Sequence, residues 1–389
     1  MSWEIKKLSE CCISIADGDH QAPPKSDFGV PFVTISNINA SNQFDFINTM
    51  FVPQEYYDSL DSKRKAQKGD ILYSVVGSFG IPVYMKETIP FVFQRHIAIL
   101  RPNDTILPQF LYYTMLSRDF YMQADAAALG AAQRTISLSA LRNMKVAVPP
   151  LDVQQKIVEI LSAYDDLIEN NQKQIKLLEE TAQRLYKEWF VDLRFPGYEN
   201  TPIVDGVPEG WTKERLVDVV KVQYGYAFDG SLFNANGNGT PIVRIRNIPS
   251  GITGDYTTET ADSQYIVHNG DLLVGMDGEF HINSWSGPDA YLVQRTCSFR
   301  PHNDNMKGYL LQAIYEPIKY FESTVVGATV AHLGKKHIDT ITVLTCPDRL
   351  YVPFQQYFER RQLLLNHNQL LAEARDRLLP KLMNGEIEV

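Results

Sequence analysis

The chain has 389 residues, enough for two domains that each bury a core. Hydrophobic residues make up 44% and charged residues 21%, with no low-complexity tract, which excludes a disordered or fibrous chain. A net charge of −9 argues against a free-standing basic nucleic-acid binder, and the lack of an apolar signal core or a membrane-length apolar run points to a cytoplasmic protein.

Residues 1–150 open with Trp3, Lys7 and Leu8. They continue through Pro31-Phe32-Val33-Thr34-Ile35-Ser36-Asn37-Ile38, Lys68-Gly69-Asp70-Ile71-Leu72, Gln94-Arg95 and Arg101-Pro102. β-Branched runs bounded by glycine, proline and asparagine have the pattern of strands and turns. The charges balance at 14 basic and 14 acidic side chains. Cys11 and Cys12, with Cys297 and Cys346 later, have neither CxxC spacing nor a histidine cluster, so they are ordinary thiols without metal.

From residue 151 to 195 the period becomes helical. Ile157, Leu161, Tyr164, Ile168, Asn171, Ile175, Leu178, Ala182, Leu185 and Trp189 recur at steps of four and three, a heptad stripe. Asp152 with Gln155 forms a candidate capping box, and Pro196-Gly197 is a stop signal, which together predict a helix from about 152 to 192.

Residues 196–348 repeat the first segment in the same order. Trp211, Arg215 and Leu216, Pro241-Ile242-Val243-Arg244-Ile245-Arg246-Asn247-Ile248, Asn269-Gly270-Asp271-Leu272-Leu273, Gln294-Arg295 and Arg300-Pro301 match the motifs above. The offset drifts only from 210 to 199, as a duplication would give. This copy holds 11 basic and 18 acidic side chains, most of the acidic excess.

Residues 349–389 form a second helical stripe, Phe354, Phe358, Leu365, Ala372, Leu379 and Leu382, interrupted by Arg361, Asn368 and Arg375. Two lone stripes would be left in water, so the two helices pair with each other. Antiparallel pairing with 152 opposite 387 places Asn171 beside Asn368 as a register pair, unless each asparagine simply faces solvent. The fold class is thus α+β: two repeated mixed α/β domains joined by two long antiparallel coiled-coil helices.

This layout, with Lys187-Glu188-Trp189-Phe190-Val191-Asp192-Leu193-Arg194-Phe195-Pro196-Gly197 and Gly206-Val207-Pro208-Glu209-Gly210-Trp211, resembles the specificity subunit of type I restriction-modification enzymes over essentially the whole chain. Pro149-Pro150-Leu151-Asp152-Val153-Gln154-Gln155 is similar to that family's helix-entry motif, from which the second copy at Cys346–Gln356 departs. The resemblance implies two target recognition domains on double-stranded DNA, each for half of a split, asymmetric site. It also implies helices that set the half-site gap and dock two methylation subunits, and restriction/translocase subunits that join in cleavage. No cofactor belongs to this chain; S-adenosylmethionine goes with the methylation partners.

Catalytic signatures are missing from the sequence. Val148-Pro149-Pro150-Leu151 lacks the asparagine and the aromatic ring of an adenine methylation loop. Gly77-Ser78-Phe79-Gly80 and Asn236-Gly237-Asn238-Gly239 lack the context of a nucleotide site. Neither Pro288-Asp289 nor Pro347-Asp348 is completed into a metal-nuclease motif. A non-enzymatic reader is expected, with a coiled-coil scaffold carrying protein-binding repeats as the alternative.

Arginine suits guanine and glutamine or asparagine suits adenine at groove edges. In the first copy, Leu129-Gly130-Ala131-Ala132-Gln133-Arg134-Thr135-Ile136-Ser137 resembles the family's recognition loop, so Gln133, Arg134 and Thr135 lead the candidates, with Ser74, Ser78, Arg95 and His96 behind them. In the second copy the counterpart is Val326–Lys336, where His332, Lys335 and Lys336 replace glutamine and arginine. Arg244 and Arg246 share one face of a strand-like run and face either DNA or nearby acids, and Arg295 completes the set.

Overall fold

The computed structural model describes residues 3–39, 41–131, 133–324 and 331–389. Two compact units emerge: Met1–Asp166 with Ala372–Val389, and Leu167–Leu371. The segments drawn at 150, 195 and 348 follow element type, whereas each compact unit takes in part of both long helices. In unit 1 the reason is plain, because Ile157, Val158, Leu161, Leu379 and Leu382 bury their side chains in the same cluster as Phe110 and Tyr73.

Unit 1 is built on an antiparallel sheet in the order Cys12–Asp17, Ile97–Pro102, Ile71–Ser74, Pro82–Tyr84. Strand Ile71–Ser74 is buried on both faces, and its side chains alternate between two cores as a pleat requires. Ile71 and Tyr73 join the helices Pro108–Leu116 and Arg118–Ala127, while Leu72 joins Val33, Val83, Phe91 and Ile99 on the other side. Pro108 supplies the preset φ of a first helical turn, and Ser117 caps the next helix through the Phe120 N–H.

Unit 2 repeats this plan with strands Val220–Tyr224, Thr296–Pro301, Leu272–Gly275 and Ile282–Ser284. Each copy also pairs an early strand with its last, Glu4–Lys7 with Lys145–Val148 and Thr212–Arg215 with Thr342–Thr345. The repeated Gly-Asp and Arg-Pro motifs explain themselves here. Arg101 spans both carboxylate oxygens of buried Asp70 at 2.9 and 2.8 Å, and Arg300 sets two nitrogens on the single oxygen Oδ2 of Asp271 at 3.0 and 2.7 Å.

One sequence match is out of step by a residue. Gln94 N–H donates to Val33 O at 3.2 Å, and in the second copy Val293 N–H, not Gln294 N–H, donates to Val243 O at 3.1 Å. Arg295 therefore occupies the place of His96, and Gln294 that of Arg95. Register follows the burial alternation of the strands, which a shared dipeptide does not override.

The first long helix runs over Leu151–Tyr186 and ends in a π turn, Lys187–Val191; the second runs over Val352–Met383. Asp152 is not the N-cap, because the helix already begins at Leu151 and the Gln155 amide reaches forward to Glu159 at 2.9 Å. Asp152 instead sits in the first turn, favourable beside the positive helix end. The entry is fixed by buried Gln154, which accepts from Leu107 N–H at 2.8 Å and donates to Pro149 O at 2.8 Å.

The arginines and asparagine that interrupt the second stripe all meet polar partners on the first helix. In unit 1, Arg375 pairs with Asp165 at 2.6 Å. In unit 2, Arg361 pairs with Glu179 at 2.6 Å, and buried Asn171 donates to Asn368 Oδ1 at 2.8 Å and lies 3.4 Å from His367 Nδ1. Asn171 thus does not face solvent. Asn171→Leu is expected to cost about 1–3 kcal/mol by stranding a half-buried amide, while Asn171→Leu/Asn368→Leu together should cost less than the single change, as read by urea unfolding.

Candidate nucleic-acid interface

In unit 1 the hairpin Ile71–Tyr84 turns at Gly77 and Gly80, both at positive φ. The loop 129–135 is held against this turn by backbone bonds: Gly77 N–H to Arg134 O at 2.9 Å and Ile136 N–H to Val75 O at 2.8 Å. Leu129 and Thr135 exchange both backbone bonds, closing the loop on itself. Gly130 is required at φ +110°, since a Cβ there would lie 2.6 Å from Gln133 O. Ala132 lies outside the described residues.

This scaffold presents Ser78, Gln133 and Thr135 to solvent. Arg134 is half-exposed and aimed: its guanidinium pairs with Asp125 Oδ1 at 2.6 Å, donates to Asp125 O and lies over the Phe79 ring, which stacks on Tyr121. His96 joins the turn through Val75 N–H, and burial followed by the neighbouring Arg95 charge lowers its pKa. Arg95 is exposed. Ser74 leaves the candidate set: it is fully buried in its strand, and its hydroxyl accepts the Ile81 N–H at 2.9 Å.

Unit 2 joins its turn to residues 331–333 by two matching backbone bonds, with other side chains and a hairpin turn one residue shorter. Gly278, at φ +69°, donates to Ala331 O at 3.0 Å, and Leu333 N–H donates to Met276 O at 2.8 Å. By that register Ala331 stands where Arg134 does and His332 where Thr135 does. Asp277 gathers His332 Nδ1 at 2.5 Å and Arg295 Nε at 3.4 Å. Arg295 is held at φ +70°, a left-handed conformation costly for a non-glycine residue and frequent at functional sites. Val326–Val330, which fell within the expected recognition loop, lie outside the described residues.

Four second-copy candidates stand apart from this cluster. Lys335 and Lys336 are exposed in the short helix Lys335–Ile338, matching Leu138 and Ser139 rather than Gln133 and Arg134. Arg244 and Arg246 do not share a strand face, because the strand ends at Val243 where the Asn247 side chain captures the Arg244 N–H at 2.9 Å. Arg246 pairs with Asp255 at 2.5 Å, and Arg244 lies over the Phe233 ring.

Sequence reasoning missed Asp125 and Asp277, the acids that orient the basic side chains. Neither carries a local signal, since one lies within a helix and the other beside a turn glycine. Among the described residues no cluster of histidine, cysteine or carboxylate could hold a metal, and no helix is long and apolar enough to cross a membrane. Burial pushes the thiols of Cys12 and Cys346 up to about 12 and raises those of Cys11 and Cys297. Native protein at pH 8 should therefore resist alkylation at all four, with full labelling only after denaturation, as mass spectrometry would read.

The type I restriction modification DNA specificity domain matches residues 2–180 and again 208–348. The type I restriction enzyme MjaIX specificity subunit of Methanocaldococcus jannaschii is 27% identical over 424 residues, covering 100% of this chain and 94% of its own length. The HindI specificity subunit of Haemophilus influenzae is 23% identical over 441 residues, covering 92% and 95%. The crystal structure of a type I restriction-modification S subunit from M. genitalium aligns over 98% of this chain and 96% of its own, with a TM-score of 0.55 at 15% identity, and so shares the fold. Matched twice over in sequence and full-length in fold, the chain belongs to the family of type I restriction-modification DNA specificity subunits.

Proposed function

We propose that each repeat reads one half of a split, asymmetric DNA site, with Ser78, His96, Gln133, Arg134 and Thr135 at one half and Arg295 and His332 at the other. The observation that carries this reading is the pair of backbone bonds that joins turn to loop at matching positions in both repeats, Gly77 to Arg134 and Ile136 to Val75 in one and Gly278 to Ala331 and Leu333 to Met276 in the other, with different side chains around them. Matching attachment points that carry different donors and acceptors suit two different base sequences. Arg95, Arg244, Lys335 and Lys336, outside the two clusters, serve as phosphate contacts.

The long helices set the gap between half-sites and dock two methylation subunits. The first helix has 36 residues, about 54 Å at 1.5 Å per residue, longer than the roughly 34 Å between successive major-groove faces. This chain performs no chemistry in the reading; adenine methylation with S-adenosylmethionine belongs to the methylation subunits, and cleavage to restriction/translocase subunits, within the cytoplasm.

The acidic second copy, 18 acids against 11 bases, favours a reader that binds DNA only inside its assembly, because phosphate affinity depends on basic charge. Titrating labelled duplex tests this. The complex with methylation subunits should bind tightly and lose affinity steeply with salt, while the isolated chain binds weakly. A complex that ignores DNA at low salt would favour the scaffold reading, in which the repeats hold proteins.

A further inference from the structure

We propose that Arg361 and Asp165 are positioning residues, each locking the root of a DNA-reading hairpin to both long helices; the inference rests on the split-site reading above. In unit 2 the hairpin Leu272–Ser284 carries the Asp277–Gly278 turn at its tip. At its root sits Arg361, only 8% exposed, with every guanidinium nitrogen committed. Nε donates to Glu179 of the first long helix at 2.6 Å, Nη1 to Ser284 Oγ at 2.7 Å and Nη2 to Asn283 Oδ1 at 2.8 Å. The adjacent Gln362 accepts from Ser284 Oγ at 2.9 Å and donates to Trp285 O at 2.8 Å.

Unit 1 reaches the same result with different groups. The hairpin Ile71–Tyr84 carries the Gly77–Ser78 turn at its tip, and Tyr84 at its root packs on Tyr112. The next residue, Tyr113, donates its hydroxyl to Asp165 Oδ2 at 2.7 Å, while Asp165 Oδ1 accepts from Arg375 of the second long helix at 2.6 Å. Both acids lie on the first helix and both arginines on the second, so the locks close only between unlike helices. A charged group bound to three elements at once fixes an orientation that apolar contact alone leaves softer.

A lock at the root does not touch bases. Its loss lets the tip shift against the helices, so gap discrimination falls while base discrimination within each half-site stays. The test uses the full chain assembled with its methylation subunits, on duplexes carrying the split site with its native gap or a gap one base pair longer or shorter. Arg361→Met should raise methylation of wrong-gap duplexes by about tenfold relative to the native gap, with unchanged selectivity against single-base changes. Arg361→Lys, which keeps the Glu179 pair without the fork, should recover part of the discrimination.

Ser284→Ala and Asn283→Ala each remove an acceptor of the Arg361 fork, together with the Ser284 donor to Gln362 or the Asn283 donors to Ile248 O and Pro249 O, and give the same readout if Arg361→Met fails to fold. Folded variants that keep wild-type gap discrimination overturn the proposal, as does a loss of base selectivity in its place. A wild-type complex that methylates no split site would instead overturn the split-site reading.

Discussion

Replacing Arg101 by methionine is expected to cost unit 1 about 3–5 kcal/mol, because it leaves the Asp70 carboxylate buried without its counter-charge. Asp70 is 1% exposed and also accepts the Gln67 N–H, while Arg101 reaches on to Lys65 O, so the pair clamps the start of strand Ile71–Ser74 against strand Ile97–Pro102. Asp70→Leu/Arg101→Met should recover most of the loss, since replacing both partners with apolar groups removes the stranded charge. Urea unfolding followed by probes in each unit reads the effect, and Arg300→Met should produce the same loss in unit 2. Equal stability of single and double variants would show that the pair contributes by packing alone.

Arg134→Ala and Gln133→Ala should each relax base selectivity in one half-site by about 1–3 kcal/mol and leave the other half untouched. Arg134 presents its planar group because Asp125 and the Phe79 ring hold it, so Asp125→Ala should reproduce part of the Arg134 effect without removing the arginine. Arg295→Ala and His332→Ala should act on the opposite half. Methylation rates by the assembled complex on duplexes with single-base substitutions measure this, and a uniform loss across all sequences would reassign these side chains to phosphate contact.

The repeated domains and the paired helices were legible because both rest on local or periodic patterns. Ile157, Leu161 and Ile175 announce a helix face by spacing alone, and Asp70 with Arg101 recurs as Asp271 with Arg300. What escaped depends on the register between distant segments. Gln94-Arg95 matched Gln294-Arg295 in letters, yet the backbone bonds give Arg295 the position in its copy that His96 holds in the other. The alternation of Arg244 and Arg246 along the run suggested a longer strand, but the Asn247 side chain captures a backbone N–H and ends it. Ser74 looked like a donor at the end of a strand, and only the packing of both faces buries it. Arg361 and Arg375 were visible as flaws in a stripe; their purpose needed Glu179 and Asp165 beside them.

The most direct test maps methylated adenine across a genome after this chain is co-expressed with its methylation subunit, comparing the intact chain with versions carrying Arg134→Ala or Arg295→Ala. The expected result is one split motif for the intact chain, degenerate in one half for the first variant and in the other half for the second. A continuous motif, or a map unchanged by both substitutions, would contradict the assignment of one half-site to each repeat.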